Sequence, residues 1–222
     1  TFDAVGSAGE PNLMFRGAGF TDLIKEWCGL ENTFYLMADE PAAIDAYLEA
    51  CDDRDDRMIA EILKLPFKII NLGDHATDEF TPPGVIEKYM MPRWQKIADK
   101  LHAHGRFVHS HWDGNAKTIL PYLKDTGLDG VEALTPEPQG NITLEAIKAA
   151  VGDRMVVLDL IPAILFMEQY TMEQVLDYTR RVMDLFAPRL ILGISDEISE
   201  VGQIEKVETI TQLVDTLCGL AR

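Results

Sequence analysis

Six short apolar runs alternate with helical segments along this chain, and that alternation limits the fold more than any other feature. The runs fall at residues 13–16, 67–72, 106–111, 130–134, 155–160 and 190–194. They are rich in Ile, Leu and Val and are bounded by turn-forming residues, which marks strands. Within them apolar residues follow one another with little alternation. Both faces are therefore expected to be covered, as in a parallel sheet flanked by helices. Helices are predicted at 39–63, 81–104, 115–127, 143–151, 171–187 and 204–220. Asp39 and Pro41 suit the first start, Pro82 and Pro83 the second, Asn115 the third, and Glu173 and Gln174 the first turn of the fifth. Gly105, Gly127, Gly152 and Pro188 supply stops.

Six β-α units fit either a doubly wound sheet or most of an eight-stranded barrel. A doubly wound nucleotide fold calls for a glycine-rich loop after its first strand. Gly17-Ala18-Gly19 is too short for that and lacks the third glycine. A barrel instead places functional residues at the C-terminal ends of several strands. No linker or boundary divides the chain, so residues 1–222 are expected to form one domain.

The net charge of −17 over 222 residues argues against nucleic acid or an anionic membrane as partner. No apolar run reaches the length of a membrane span. Cys28, Cys51 and Cys218 are scattered and odd in number, as expected of reduced thiols in a cytoplasmic protein. The chain begins at Thr1 rather than Met, so part of the N-terminus is expected to be missing.

The strand ends carry the chemistry. In the stretch RFVHSHWDGN, His109 and His111 are two residues apart, so on a strand they share a face. Asp113, Gly114 and Asn115 follow and break the strand. Asp74 and His75 end the preceding run, Glu132 and Asp159 lie in the next two, and Asp196 and Glu197 follow the last. Carboxylates and imidazoles gathered at one face need partners, a metal or a substrate, because an isolated buried charge is costly. A two-histidine metal hydrolase would need further histidines on later strands. All five histidines lie at or before position 111. No GxSxG marks a serine hydrolase.

His111-Trp112-Asp113-Gly114-Asn115 resembles the H-x-[CD]-G-N motif of the uroporphyrinogen decarboxylase superfamily, and Gly193-Ile194-Ser195-Asp196-Glu197-Ile198 resembles its last-strand motif. The intervening LKDTGLDGVEAL and VGDRMVVLDLIPAILF follow in the family's order, so the resemblance covers residues 65–222 well and 1–64 loosely. It implies an α/β fold of (β/α)8 TIM-barrel type that lacks its N-terminal helices and first strands in this chain.

The resemblance further implies one of two activities. Cobalamin-linked methyltransferases of the superfamily use a zinc ion to activate a methyl acceptor. Their ligand positions carry over to His111, Asp113 and Asp196, with aspartate in place of both cysteines. Zinc accepts such ligands, and harder oxygen donors also suit other divalent ions. In this reading Glu132, Asp159 and Asp74 serve as catalytic or orienting groups. His109, His75, Asn115 and Glu197 contact substrate or support the ligands. The partners are a corrinoid protein carrying cobalamin and a small methyl donor or acceptor, with a homodimer as a further expectation. The alternative is a cofactor-free decarboxylase acting on a porphyrinogen, in which Asp196 stands where that branch has a histidine. A non-catalytic binding barrel is the third reading.

Overall fold

In a computed structural model of the protein, residues 5–17 and 19–219 are described. Ala18 of the glycine pair and Leu220, the expected end of the last helix, lie outside them. Six strands form one sheet: β1 (Asn12–Phe15), β2 (Ile69–Ala76), β3 (Phe107–Trp112), β4 (Gly130–Glu132), β5 (Val156–Ile161) and β6 (Leu190–Ile194). All neighbours run parallel and the spatial order is the sequence order. A doubly wound sheet reverses its order at a switch point. This one never does, so it is a partial barrel of six strands.

The main helices are α1 (Leu30–Asp39), α2 (Pro41–Ile62), α3 (Met91–His102), α4 (Leu144–Val151), α5 (Met172–Phe186) and α6 (Ile204–Leu217). Their apolar stripes cover the sheet. Ile70, Leu72, Val108, Val131 and Val157 of the strands are buried in one core with Trp94, Leu101, Ile147, Val182 and Phe186 of the helices. A smaller cluster of Ile161, Leu165, Phe166, Val175 and Ile210 seats α6. Two helices carry side-chain caps at their starts. Thr143 Oγ1 accepts the Ala146 N–H, and Thr171 and Gln174 make a reciprocal capping box.

Several boundaries differ from expectation, each for a local reason. The helix predicted at 115–127 is only a 3-10 turn, Leu120–Asp125. The N–H groups that Asn115 would have capped are taken by other side chains. Asn141 Oδ1 accepts from the Ala116 and Lys117 N–H groups, and Asp78 Oδ1 from those of Thr118 and Ile119. Asn115 therefore caps nothing; its side chain donates to Glu79 Oε1 at 2.7 Å. The helix predicted at 81–104 is broken into the turn Pro83–Val85, a π-turn at Ile86–Met90 and α3. Pro92 has no N–H to continue the ladder, which slips to Met91 N–H bonding Ile86 O. Asp39 ends α1, a helix the sequence reading missed, rather than capping α2.

The change that matters most for function is in β2. It runs to Ala76, four residues past its predicted end, and its register against β3 shifts between Leu72 and Ala76. His75 thereby sits on a strand next to β3 instead of in a loop.

Candidate active site at the C-terminal edge of the sheet

The site is built in two tiers. The lower tier is a polar layer inside the sheet. Asn71 on β2, His109 on β3 and Glu132 on β4 face one another, with Asn12 of β1 beyond them. Asn71 Nδ2 donates to Glu132 Oε1 at 2.7 Å, His109 Nδ1 lies 3.4 Å from Glu132 Oε2, and His109 Nε2 meets Asn12 Nδ2 at 3.0 Å. His109 is only 3% exposed, so it supports the site from beneath. Burial holds its imidazole pKa below the usual value, against the pull of Glu132.

The upper tier begins one strand repeat above His109. His111 Nδ1 bonds Glu132 Oε1 at 3.0 Å, which leaves its Nε2 facing outward toward Asp113. His75 of β2 stacks on the His111 ring, with centroids 5.7 Å apart. The Nε2 atoms of His75 and His111 lie 3.6 and 3.9 Å from Asp113 Oδ2. Among the described residues, His75, His111 and Asp113 are the group whose ligand atoms converge closely enough to share one metal ion.

A cleft of about 340 Å³ opens in front of this group. It is lined by His111 and Asp113, Glu132, Asp159, and Ser195 and Asp196 just past β6, with Glu197 at the rim. Asp159 hangs from a distorted backbone. Ala133, Asp159 and Leu160 all have left-handed φ, at 64°, 79° and 78°. Such conformations cost non-glycine residues about 1–3 kcal/mol each and gather where a scaffold over-determines its site. The distortion aims the Asp159 carboxylate at the Ala133 N–H, 3.1 Å away. Gly193 on β6 leaves the space, since a Cβ there would collide with Asp159 Oδ1.

Electrostatics differ across the cleft. Burial alone would lower the His111 pKa, but its bonds to Asp113 and Glu132 dominate and raise it to about 9. The bare site thus already stabilises a cation at this position. Hydrogen bonding to His111 holds the Asp113 carboxyl below its usual range. Glu132 is also held low, because its bonds from His111 and Asn71 outweigh its burial. Burial holds His75 below the usual imidazole value. Asp159 goes the other way: burial raises it to about 6, the Ala133 N–H only partly opposing.

The remaining expected site residues are spread out. Asp196 lines the cleft but stands apart from the converging group. Its Oδ1 accepts the Glu197 N–H at 2.7 Å and its Oδ2 lies 3.4 Å from Gln139 Nε2. Glu197 is exposed beside it. Asp74 does not face the cleft. It is 1% exposed, and its Oδ2 accepts from the Trp94 indole at 2.5 Å and the Ser110 hydroxyl at 3.3 Å. That corrects its expected catalytic place: it ties β2 to β3 and α3. Asn115 ties two loops together through Glu79, away from the cleft lining. Sequence reasoning missed Asn71, Gln139 and Ser195. Asn71 was detectable as an amide inside an apolar strand. Ser195, 1% exposed with no bond to its Oγ, was visible only as a member of the last-strand motif.

A parallel sheet in sequence order, with its titratable groups collected at the C-terminal strand edges, defines a barrel-type α/β site. The chain belongs to the uroporphyrinogen decarboxylase (URO-D) family, whose pattern it matches over residues 13–217. Its fold is similar to that of a methyltransferase from Methanosarcina mazei, with a TM-score of 0.76 at 14% identity, over 97% of this chain and 61% of that one. It is also similar to a B12-independent methionine synthase from Shewanella sp. W3-18-1 in complex with selenomethionine, with a TM-score of 0.55 at 12% identity, over 97% and 65%. The chain therefore spans less than two thirds of the length of these structures. No curated protein sequence matches it. Among the described residues no helix is long and apolar enough to cross a membrane.

Proposed function

We propose that this chain carries the active site of a URO-D-superfamily methyltransferase, which passes a methyl group between a corrinoid-bearing partner protein and a small acceptor. The observation that carries the reading is the bracing of His111. Its Nδ1 is fixed on Glu132 so that Nε2 is turned toward Asp113. Metal-ligating histidines are held in this way, with a carboxylate setting tautomer and ring orientation. The donor set of imidazole nitrogen and carboxylate oxygen fits zinc and other divalent ions. His111 and Asp113 would hold the ion. When bound, such an ion supplies positive charge that lowers the pKa of an acceptor group.

The protein's own residues do the rest. Glu132 orients His111, while Asn71 and His109 hold Glu132 in place. An acceptor that gains a methyl group must give up a proton. Asp159, with its carboxyl raised to about 6, is ionised at neutral pH yet basic enough to take that proton on an oxygen. The left-handed backbone at Ala133 and Asp159 keeps that oxygen at the cleft. The same lining argues against a decarboxylase acting on a porphyrinogen. Asp113, Glu132, Asp159, Asp196 and Glu197 line the cleft without a lysine or arginine, a poor match for a polyanion.

The test is methyl transfer by the full chain loaded with zinc, using methylcobalamin as donor and a panel of small thiols and amines as acceptors. The expected result is loss of the methylcobalamin spectrum together with methylated acceptor, both reduced at least about tenfold in Asp159→Asn. A zinc-loaded protein that methylates nothing in the panel would overturn the reading.

A further inference from the structure

The last-strand aspartate is the expected third ligand, yet it is not where the ligand atoms meet. We infer that a divalent cation at this site is held by His75 Nε2, His111 Nε2 and one oxygen of Asp113, leaving Asp196 off the metal. The inference shares with the proposed function the premise of an ion at His111 and Asp113. It stands apart from it on the third ligand.

Three observations carry it. The first is spacing. Metal–ligand bonds of about 2.1 Å put neighbouring ligand atoms about 3.0–3.4 Å apart in octahedral or tetrahedral sites. The two imidazole nitrogens lie 3.6 and 3.9 Å from Asp113 Oδ2, so closure on an ion needs only small side-chain rotations. The second is how the two histidines are held. The rings stack with planes 19° apart, and both direct Nε2 toward the same carboxylate oxygen. The longer β2 and its register shift bring His75 there, beside Asp113.

The third observation concerns Asp196. Its side chain is exposed and committed elsewhere: one oxygen takes the Glu197 N–H and the other faces the Gln139 amide. Gln139 cannot easily turn away, because its Oε1 accepts the Ile164 N–H at 2.9 Å. Glu132 is no better placed to ligate, since its oxygens serve Asn71, His111 and His109.

The chemistry of the site follows from the donor set. Two imidazoles and one carboxylate would hold the ion, with no cysteine among the residues lining the cleft. Such a set takes borderline divalent ions with nitrogen- and oxygen-bound ligands, and it lacks the thiolates that favour a closed tetrahedral zinc centre.

The experiment uses the full chain stripped of metal and titrated with Co(II). It reads stoichiometry by elemental analysis and coordination by the visible spectrum. The wild-type chain should take one equivalent and show weak visible bands without thiolate charge transfer. His75→Ala and His111→Ala should each weaken Co(II) binding by at least about a hundredfold, and Asp196→Asn by less than about threefold. Should His75→Ala be poorly folded, His75→Cys provides an independent reading: a thiolate-to-cobalt charge-transfer band appears only if position 75 reaches the ion. Unchanged binding in His75→Ala with loss in Asp196→Asn would overturn the ligand set while leaving the methyltransferase reading standing. Charge transfer absent from a metal-loaded His75→Cys would also overturn the set. A correct ligand pattern in a protein without methyl transfer would overturn the function alone.

Discussion

The two sides of the cleft are built on opposite principles. On the β2–β3 side, polar groups are braced. His111 rests on Glu132, Glu132 is fixed by Asn71, His75 stacks on His111, and no residue of β2 or β3 has a left-handed φ. On the β5–β6 side the backbone is distorted. Asp159 and Leu160 are left-handed, Ser195 is buried with no bond to its hydroxyl, and Asp196 and Glu197 stand exposed. The electrostatics follow the same division. The braced side stabilises charge: His111 is driven toward its cation, and Asp113 and Glu132 toward their anions. The strained side resists it, pushing Asp159 toward its neutral form. A site that holds one group firmly and keeps another reactive gains from separating the two tasks.

Removing the brace should give the largest effect. Glu132→Ala leaves His111 and Asn71 without their shared acceptor, and loss of one partner from a buried charged network costs about 3–5 kcal/mol. Urea unfolding should register that loss, and Co(II) affinity should fall about 10–100-fold. A variant as stable as the wild-type chain would mean that the brace is incidental.

The second effect is a pH dependence set by the braced side. In the metal-free protein, the His111 pKa rises from 6.5 to about 9 on folding. Its stabilisation is fully present below pH 6.5 and is lost as pH rises through about 9. It amounts to about 2–3 kcal/mol after allowance for partial exposure. Unfolding midpoints measured from pH 6 to 9.5 should fall in the wild-type chain and flatten in His111→Gln.

Gly193→Ala probes the strained side by pushing a Cβ into Asp159 Oδ1. It should cost about 2 kcal/mol, within the range for overpacking, and should displace the carboxylate, which a crystal structure of the variant would show. The smallest effect belongs to Asp159→Asn, and it is stabilising. The Asp159 carboxyl has a free-chain value of 3.8 and a folded value of about 6. Folding therefore carries a penalty that is absent below pH 3.8, grows through about 6 and is complete above it. Asparagine keeps an acceptor for the Ala133 N–H and removes the penalty, a gain of about 1–2 kcal/mol at pH 7.5 that vanishes near pH 4. Thermal melts at the two pH values measure it, and equal melts at both would place Asp159 in water rather than in a buried site.

The strands and their functional ends were legible because apolar runs without alternation, closed by polar residues, have few other readings. His111, Asp113, Glu132, Asp159 and Asp196 all reach one cleft as their strand-end positions implied. What escaped the sequence depends on contacts distant along the chain. The N–H groups that Asn115 was expected to cap are taken by Asp78 and Asn141, which no local propensity reveals. The place of His75 rests on a register shift after Leu72. Asp74, adjacent to it, turned toward Trp94 because Gly17 leaves its carboxylate room. Neighbours on one strand end thus took opposite faces, one toward Asp113 and one into the core.

The most direct test of the account is the metal content of the purified chain after loading with zinc and removal of excess, wild type beside His111→Ala. The account predicts one equivalent in the wild-type chain and a near-complete loss in a variant that remains folded. A wild-type chain that retains no metal, or a variant that retains a full equivalent, would contradict it.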